Sequence, residues 1–459
     1  MAALVLVEVL TASAAASARL TNSPPANGNV IISWNSRGIL ERADGLDGPW
    51  VAITNATNPY TNSLTNNAQF FRLNQTVDNT SLRKKVMCGY QGWFKCPGDP
   101  GGGNSWFHWS SSQSQITTNT LTFEMWPDMS EYANRYIAPG FTHPGGAQAD
   151  LFSPQDKQTV DTHFDWMLEH GIDGVFLQRF LVDIAGRPWM TNVLNHARAA
   201  ANRTGRTICL TYDMSGQPTN TLFAALTNDW TKLVNSHQLT QDPRYLWHDG
   251  KPVLMVWGFF ADRMSTNLAT QIIHWFKTNP IAPVTLIGGG QWWWRTETTP
   301  GWSNVFRMFD VYSPWNVGNY ATVGTNRYAA TNAWSQDIIA ANAAGMLWLP
   351  VVYPGFSWYH LRGRQSMNDF NLLPRLGGNF LWKQFYDVAL RGVDMAYVAM
   401  FDEVDEGTAI FKVSNAPPTQ TTFLTLEGLP ADWYLRLTAE GSKIIAGERP
   451  NTAVIPISP

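Results

Sequence analysis

From Val86 to the end of the chain, short apolar runs alternate with stretches of helical period. The runs are rich in aliphatic, β-branched and aromatic residues, as buried strands are, whereas apolar positions three or four residues apart indicate amphipathic helices. Eight strands are predicted, at 86–94, 174–180, 207–213, 252–259, 284–288, 310–314, 347–352 and 396–401. Helices are predicted at 156–171, 192–205, 267–279 and 326–345, with a last helix from Pro430.

This alternation predicts an α/β fold of the (β/α)8, or TIM, barrel type. Parallel strands need crossover connections of about a dozen residues or more, and the helical stretches supply them. Eight such repeats over about 350 residues suit a barrel with some long loops. An open, doubly wound sheet is the competing architecture, but the glycine-rich phosphate turn expected after its first strand is missing.

Residues 19–75 follow a different pattern. Positions 29–40 alternate between apolar and polar, and turn-rich segments separate further short β-like runs. Short strands at regular spacing predict a small β-sandwich. We therefore expect an accessory module, either a binding module or a purely structural cap, followed by a polar linker at 76–85 and the barrel at 86–459.

The first 18 residues combine an apolar run with small residues, which resembles a signal peptide or its remnant. Glu8 within the run and the absence of a basic start are unlike an intact signal peptide. The protein is expected to be secreted, periplasmic or exposed at the cell surface. No later stretch approaches the roughly 18 consecutive apolar residues of a membrane-spanning helix, so no membrane insertion is expected.

The composition indicates which classes of molecule the protein could bind. The formal net charge is −3, and the absence of a basic excess argues against a nucleic-acid partner. The 22 tryptophans favour a carbohydrate partner, because flat aromatic rings match the apolar faces of sugar rings. Cys88, Cys96 and Cys209 are too few for a disulfide scaffold or a Cys-rich zinc site, and Cys88 and Cys96 either form a bridge or remain buried thiols.

In TIM barrels the active site forms at the C-terminal ends of the strands, so the residues that follow each predicted strand are the candidates. The candidate substrate-binding residues there are Tyr90, Trp93, His108, Gln178, Arg179, Asp213, Trp292, Trp294, Tyr312, Trp315 and Tyr353. Three adjacent tryptophans, 292–294, cannot all enter one core, so at least one should face the cleft or lie under a loop. The arginines near these ends either bind an acidic or sulfated sugar or, more simply, pair with carboxylates and loop carbonyls; they are Arg179, Arg295, Arg362 and Arg364.

The segment after the eighth strand carries four carboxylates in five residues: Asp402, Glu403, Asp405 and Glu406. Like charges this close repel one another, and burial raises the pKa of some of them. Glycoside cleavage needs two carboxyl groups, one to donate a proton and one to act as base or nucleophile, and such a cluster can supply both. The alternatives are a solvated acidic loop, or a calcium site with Asp402 and Asp405 as oxygen ligands.

Five segments, in order along residues 86–412, carry a family resemblance. They are GYQGWF at 89–94, HFDWMLEHGIDGVFLQRF at 163–180, YLWHDGKPVLMVWGF at 245–259, LPVVYPGFSW at 349–358 and VAMFDEVDEGTAIF at 398–411. They resemble the first-strand Tyr/Trp motif, the helix into the second strand, the Gly-Lys-Pro-Val strand, the Pro-Gly turn and the Asn-Glu-Trp-His-Glu-Gly-Thr region of glycoside hydrolase family 99. That family contains endo-α-mannosidases and endo-α-mannanases, and family 71 is related to it.

The resemblance implies a glycoside hydrolase that cleaves an α-glycosidic bond in a poly- or oligosaccharide, endo-acting and retaining, without a cofactor or metal. The two family glutamates fall on Glu403 and Glu406. Glu406 is implied as acid/base, and Glu403 as the base that deprotonates the substrate's own 2-hydroxyl to give a 1,2-anhydro sugar. Tyr90 and Tyr312 are implied as active-site tyrosines.

The family's Asn-Glu-Trp-His-Glu reads here as Asp402-Glu403-Val404-Asp405-Glu406. Both glutamates remain, and Asp402 and Asp405 become candidate substrate-binding residues. The change leaves the sugar specificity open. It also supports the alternative function, a non-catalytic carbohydrate-binding barrel.

Overall fold

The computed structural model describes residues 4–6, 19–34, 37–54, 56–63 and 68–459. The stretch predicted to resemble a signal peptide therefore lies outside the described residues, apart from the strand Leu4–Leu6. Among the helices of the described residues, none combines the length and the apolar character needed to cross a membrane.

Eight parallel strands form a barrel, and their order around it follows their order along the chain. We number them first to eighth barrel strand: Lys85–Tyr90, Gly174–Phe180, Thr207–Asp213, Lys251–Phe259, Thr285–Gly290, Val311–Pro314, the two halves Leu347–Trp348 and Val351–Val352, and Met395–Val398. All eight predicted strands exist, and the TIM-type prediction is confirmed.

The split seventh strand closes the barrel. Its first half pairs with the sixth strand and its second half with the eighth, which in turn pairs with the first. Between the halves, the Leu349 N–H donates to the Tyr312 carbonyl and the Pro350 carbonyl accepts from the Tyr397 N–H, both at 2.9 Å. Pro350 has no N–H to add to a ladder, which explains the interruption. An open sheet is therefore excluded.

Side chains along each strand alternate between the barrel interior and the surrounding helices. One buried cluster fills the interior; its members include Met87, Phe176, Cys209, Met255, Ile287, Val311, Val351 and Met395. The neighbouring positions belong to a second cluster that packs under the helices; they include Val86, Val175, Ile208, Leu254, Leu286, Val352 and Ala396. This parity decides which side chains can reach the mouth of the barrel.

The helices that surround the barrel lie where the crossovers require them. The α-helices are Lys157–Glu169, Leu181–Ile184, Met190–Thr204, Thr219–Asn235, Thr266–Thr278, Trp302–Phe306, Trp334–Ala343, Asn379–Leu390 and Trp433–Ile445. Short 3-10 helices occupy Leu239–Gln241, Trp294–Thr296, Met367–Asp369 and Leu376–Gly378. The helix predicted from Pro430 corresponds to the last α-helix.

The helix predicted at 326–345 is wrong in its first half. The strands Tyr320–Val323 and Asn326–Ala329 form a hairpin there, and the helix begins only at Trp334. Val323 pairs with Asn326, so the turn has two residues, and Gly324 adopts the positive φ of 63° that such turns need. A second hairpin, Tyr136–Thr142 with Gln148–Leu151, lies in the long connection after the first barrel strand, and Trp247–His248 pairs with the fourth.

The N-terminal residues form a small all-β unit, as predicted. One sheet contains Leu20–Asn22, Asn29–Trp34 and Tyr60–Ser63, and the other contains Leu4–Leu6, Ile39–Ala43, Val51–Ala52 and Gln69–Asn74. Buried apolar residues of both sheets make one core, as in a sandwich. Arg37 joins this unit to the barrel through Asp173 at 2.9 Å and Glu448 at 3.0 Å.

Residues 76–85 run along the N-terminal end of the barrel. Leu82 is buried in the interior cluster, and the Asn79 side chain donates to the Tyr245 carbonyl at 2.7 Å. The polar stretch predicted as a linker is therefore packed against the barrel. Cys88, Cys96 and Cys209 are all buried free thiols, which decides against a Cys88–Cys96 bridge.

Candidate active site

The loop after the eighth barrel strand, residues 402–408, is the acidic loop. Its backbone is held from two sides. The buried Arg375 guanidinium donates to the carbonyls of Gly407 and Ala409 at 2.8 and 2.7 Å. The Glu124 N–H donates to the Val404 carbonyl at 2.8 Å. Since Asp402, Glu403 and Asp405 are all buried, the acidic loop is not a solvated one.

Asp402 binds the loop after the first strand. One of its oxygens accepts from the Gln91 N–H at 2.8 Å and the other from the Gly92 N–H at 2.9 Å. Burial raises the pKa of Asp402 to about 7, against the opposing effect of these two N–H groups. Both oxygens are engaged and the residue is fully buried, so the expectation that Asp402 contacts substrate is wrong. Its role is to join the first and last loops.

Glu403 is held in one orientation by two donors. The Gln91 side-chain amide donates to its Oε1 at 3.0 Å, and the Thr408 hydroxyl lies 3.1 Å from its Oε2. Burial, followed by the negative charges of Glu406 and Asp405, raises the pKa of Glu403 well above its usual range. The carboxylate is thus fixed in position, and the charge of Glu406 acts on it.

Glu406 lies in a different environment. It is partly exposed, and no hydrogen bond to its carboxylate comes from any of the described residues. Burial, followed by the charge of Asp405, raises the pKa of Glu406 to about 7. A carboxyl that is partly protonated at neutral pH and accessible from the barrel mouth can donate a proton.

Asp405 reaches His108 of the first-strand loop, with 3.2 Å between Asp405 Oδ2 and His108 Nδ1. Burial raises the pKa of Asp405 well above its usual range and lowers that of His108 to about 3. His108 stacks on Trp93 with 3.6 Å between ring centroids. Its φ of 61° lies in a region that non-glycine residues rarely adopt. The structure therefore brings Trp93, His108 and Asp405 together beside the glutamates.

Three predicted site residues lie on the outer side of the barrel. The predictions for the buried Tyr90 and Tyr312 are wrong, whereas Arg179 lines a pocket with Gln91 and Trp93 and stays a prediction. Tyr90 contacts His163 at 2.8 Å, Arg179 forms a bidentate pair with Asp229 at 2.7 Å, and the Tyr312 hydroxyl donates to the Gln291 carbonyl at 3.0 Å. Strand parity explains all three, because the interior positions are their neighbours in sequence. Counting alternate positions from Met87 leads to Gln91 instead of Tyr90.

Gln178, Asp213 and Trp315 do point inward. The Gln178 amide donates to the Tyr397 hydroxyl at 3.3 Å. Asp213 accepts from the Ser215 N–H at 2.7 Å, and burial raises its pKa to about 6. Trp315 is half-buried against the Tyr397 ring, with 6.1 Å between centroids.

Further residues of the mouth were missed by the sequence reasoning: Gln91, Trp257, Tyr397 and Thr408. Trp257 packs on Trp315 at 5.7 Å, and Tyr397 lies between Gln178 and the charge of Glu403. Parity along the strands would have identified the first three. Thr408 gives no signal in the sequence, since only the turn of the acidic loop brings it back to Glu403.

The remaining aromatic candidates divide by burial. Tyr353 and Trp294 are buried; the Tyr353 hydroxyl donates to the Asn319 carbonyl at 2.7 Å, and Trp294 packs on Tyr312 at 5.0 Å. Neither can contact a substrate, which corrects both expectations. Trp292 is half-buried and Trp293 is 50% exposed, so the three tryptophans do not share one core.

The arginines singled out from the sequence are occupied within the protein. Besides Arg179 with Asp229, Arg295 pairs with Asp337 at 3.1 Å and Arg362 with Asp369 at 3.7 Å. Arg364 donates to two loop carbonyls at 3.0 and 2.8 Å. The simpler of the two readings, pairing within the fold, is the correct one for all four.

The calcium hypothesis does not fit the donor geometry. Asp402 has both oxygens engaged by backbone N–H groups. Within the described part of the chain, no three His, Cys, Asp or Glu side chains are grouped as a metal site.

Comparisons with known proteins agree with this architecture. Neither a protein-family model nor a curated protein sequence matches the chain. Two solved structures of the GH99 endo-α-mannosidase from Bacteroides thetaiotaomicron are similar in fold. The one in complex with Bis-Tris propane has a TM-score of 0.58 at 14% identity, covering 81% of this chain and 99% of its own. The other has a TM-score of 0.59 at 15% identity, covering 80% and 99%. The chain is thus a TIM-type barrel with the fold of the glycoside hydrolase family 99 endo-α-mannosidase structures.

Proposed function

We propose that this protein is a glycoside hydrolase that cleaves an α-glycosidic bond within a poly- or oligosaccharide. One observation carries the proposal: at the barrel mouth, two carboxyls whose charges repel each other lie in opposed environments. Glu403 is buried and oriented by Gln91 and Thr408, whereas Glu406 is partly exposed and has a pKa of about 7. Such a pair suits the acid and base roles of glycoside cleavage.

Glu406 is the acid/base. It gives its proton to the leaving glycosidic oxygen as the bond from that oxygen to the sugar C1 breaks. Glu403 takes the proton of the sugar's 2-hydroxyl, and the oxygen that this releases attacks C1 to form a 1,2-anhydro sugar. Water, deprotonated by Glu406, then attacks C1 as the bond from C1 to O2 breaks, Glu403 returns its proton to O2, and the anomeric configuration is retained. The hydrogen bonds from Gln91 and Thr408 orient the Glu403 carboxyl for this role, and the Thr408 bond opposes the rise in its pKa that burial and the neighbouring carboxylates cause.

The half-buried and exposed aromatic rings around the mouth support a carbohydrate substrate, because they present flat apolar faces next to polar groups. Among them are Trp93, Trp257, Trp292 and Trp315. The similarity to an endo-α-mannosidase structure supports an α-linked substrate and an endo mode of attack. The two aspartates of the acidic loop alter the surroundings of the glutamates, so we propose the class of reaction and not mannose as the sugar.

The test is product release from a panel of α-mannans, fungal and plant glycans and sulfated algal polysaccharides. Wild type, Glu406→Gln and Glu403→Gln are compared with Glu427→Gln, which changes an exposed glutamate. We expect wild type and the control to cleave at least one glycan with retention, and both site variants to lose about 10²- to 10⁴-fold in kcat.

Equal activity of wild type and Glu406→Gln would overturn the site assignment. Binding without cleavage by the wild type over long incubation would identify a non-catalytic carbohydrate-binding barrel instead.

A further inference from the structure

A pocket lies at the C-terminal ends of the third and fourth barrel strands, away from the acidic loop. Polar side chains of Ser215, Gln217 and Thr219 contribute to its wall, and Arg263 contributes a positive charge. The pocket belongs to the end of the barrel at which TIM-barrel enzymes bind substrates. The proposed cleavage step does not use it.

Arg263 differs from the arginines that were singled out from the sequence. It is exposed, and its guanidinium lies 4.2 Å from the Phe260 ring centroid and 5.5 Å from that of Trp257. None of the described residues offers it a carboxylate within ion-pair distance or a hydrogen-bond acceptor. Two rings therefore hold the side chain in place, while the N–H donors at the edge of the planar guanidinium, which suit carboxylate or sulfate, remain available.

Three interior aromatic residues connect this arginine to the glutamates. We call Trp257, Trp315 and Tyr397 the aromatic floor. Trp257 contacts Trp315 at 5.7 Å, Trp315 contacts Tyr397 at 6.1 Å, and the charge of Glu403 acts directly on Tyr397. A sugar chain that passed over the half-buried Trp257 and Trp315, with its scissile bond at Glu403 and Glu406, would place a more distant sugar near Arg263.

Asp213 is a carboxylate on which the charge of Arg263 acts. It is mostly engaged by Ser215 and is buried. It balances part of the positive charge but does not cover the guanidinium. An anion that reached Arg263 from the solvent side would still find its donors open.

We propose that Arg263 binds an anionic substituent, a carboxylate or a sulfate ester, on a sugar of the bound chain away from the cleavage point. The inference rests on the proposed function, since it assigns an acidic poly- or oligosaccharide to that same cleft. The two half-buried rings of the aromatic floor, Trp257 and Trp315, position the sugar rings. The arginine selects among chains by charge.

The test is binding to immobilised glycans in matched pairs, at physiological ionic strength. One set compares sulfated polysaccharides with the same material after desulfation, and the other compares uronate-containing polysaccharides with their carboxyl-reduced forms. Wild type, Arg263→Gln and Arg263→Lys are measured beside Arg83→Gln. Arg83 pairs with Asp394 at the opposite end of the barrel and gives the same change in net charge.

We expect wild type and Arg83→Gln to bind the anionic member of one set roughly tenfold or more tightly than its neutral partner. Arg263→Gln should bind both members equally, and Arg263→Lys should keep a weaker preference because it lacks the planar fork. The set that shows the effect identifies sulfate or carboxylate.

A preference that survives in Arg263→Gln, or wild-type binding that ignores the charged groups, would overturn the inference. Cleavage of neutral and anionic glycans alike would also overturn the inference, but it would leave the proposed function intact. Binding that depends on Arg263 but leads to no cleavage would support the inference and contradict the hydrolase. No binding to any pair would contradict both.

Discussion

The side-chain amide of Gln91 donates a hydrogen bond of 3.0 Å to Glu403. Asp402, the residue before Glu403, accepts hydrogen bonds from the backbone N–H groups of Gln91 and Gly92. The loop after the first barrel strand and the loop after the eighth thus hold each other, and the proposed base is oriented by a residue more than three hundred positions away. Several expected outcomes depend on these contacts.

Gln91→Ala removes one of the two donors to Glu403. Because a hydrogen bond to the ionised form lowers a carboxyl pKa, its loss should raise the pKa of Glu403 and move the acidic limb of the kcat/KM profile to higher pH. We expect kcat at neutral pH to fall about tenfold, which corresponds to a contribution of about 1.4 kcal/mol. Gln158→Ala, on the helix Lys157–Glu169, is the control. An unchanged acidic limb would show that Gln91 does not act through Glu403.

Asp402→Asn should destabilise the fold. In the variant, the side-chain NH2 group would face one of the two backbone N–H groups that Asp402 binds. That buried N–H group would lose its acceptor, which should lower the free energy of unfolding by about 2–4 kcal/mol. Urea unfolding at constant pH measures this change. Asp249→Asn removes a carboxylate whose side chain is 86% exposed and should change stability by less than about 0.5 kcal/mol. Equal stability of the two variants would contradict the structural role of Asp402.

Stability should decrease as the pH rises from about 4.5 to about 7. Burial raises the pKa of Asp402 and Glu406 to about 7 and that of Asp213 to about 6. In this window the folded state therefore binds more protons than the unfolded state, and the free energy of unfolding falls with pH.

In Glu406→Gln, the free energy of unfolding should decrease less between about pH 4.5 and about pH 7 than in the wild type, by about 2–3 kcal/mol. Asp262→Asn, which changes an exposed carboxylate, should keep the wild-type slope. The measurement is the free energy of unfolding in urea at several pH values. A free energy of unfolding that rises with pH in the wild type would show that the acidic loop is not buried in solution.

Gly89→Ala tests the packing beneath the site. A methyl group at this position would overlap the Tyr397 hydroxyl and the Met400 sulfur, so the interior must shift. We expect a loss of about 1–3 kcal/mol in stability and a clear loss of activity, because Tyr397 lies beside Glu403. Gly186→Ala is the matched control, since its methyl group would enter open space. Wild-type melting temperature and kcat in Gly89→Ala would refute the close approach.

Much of the barrel could be predicted because its signals are local. Strand runs such as 174–180 and 207–213 match the observed strands residue for residue, since a fully buried parallel strand is a continuous apolar run between turn residues. The first predicted strand, by contrast, continued to residue 94, whereas the observed one ends at Tyr90. The N–H groups of the next two residues, Gln91 and Gly92, donate to Asp402, a partner that no local pattern reveals.

The sequence by itself determined the order of strands and helices, the N-terminal β unit and the concentration of carboxylates after the last strand, because each follows from short-range periodicity or composition. Only the tertiary structure decided which side chains meet. Closing the barrel turned Tyr90, Arg179 and Tyr312 outward and brought Gln91 and Thr408 to Glu403. It also left Arg263, unremarkable in the sequence, with two rings beside it and no ion-pair partner among the described residues. The physical reason is that burial, charge pairing and hydrogen bonding depend on distances between residues far apart in the chain, and those distances exist only once the sheet has closed.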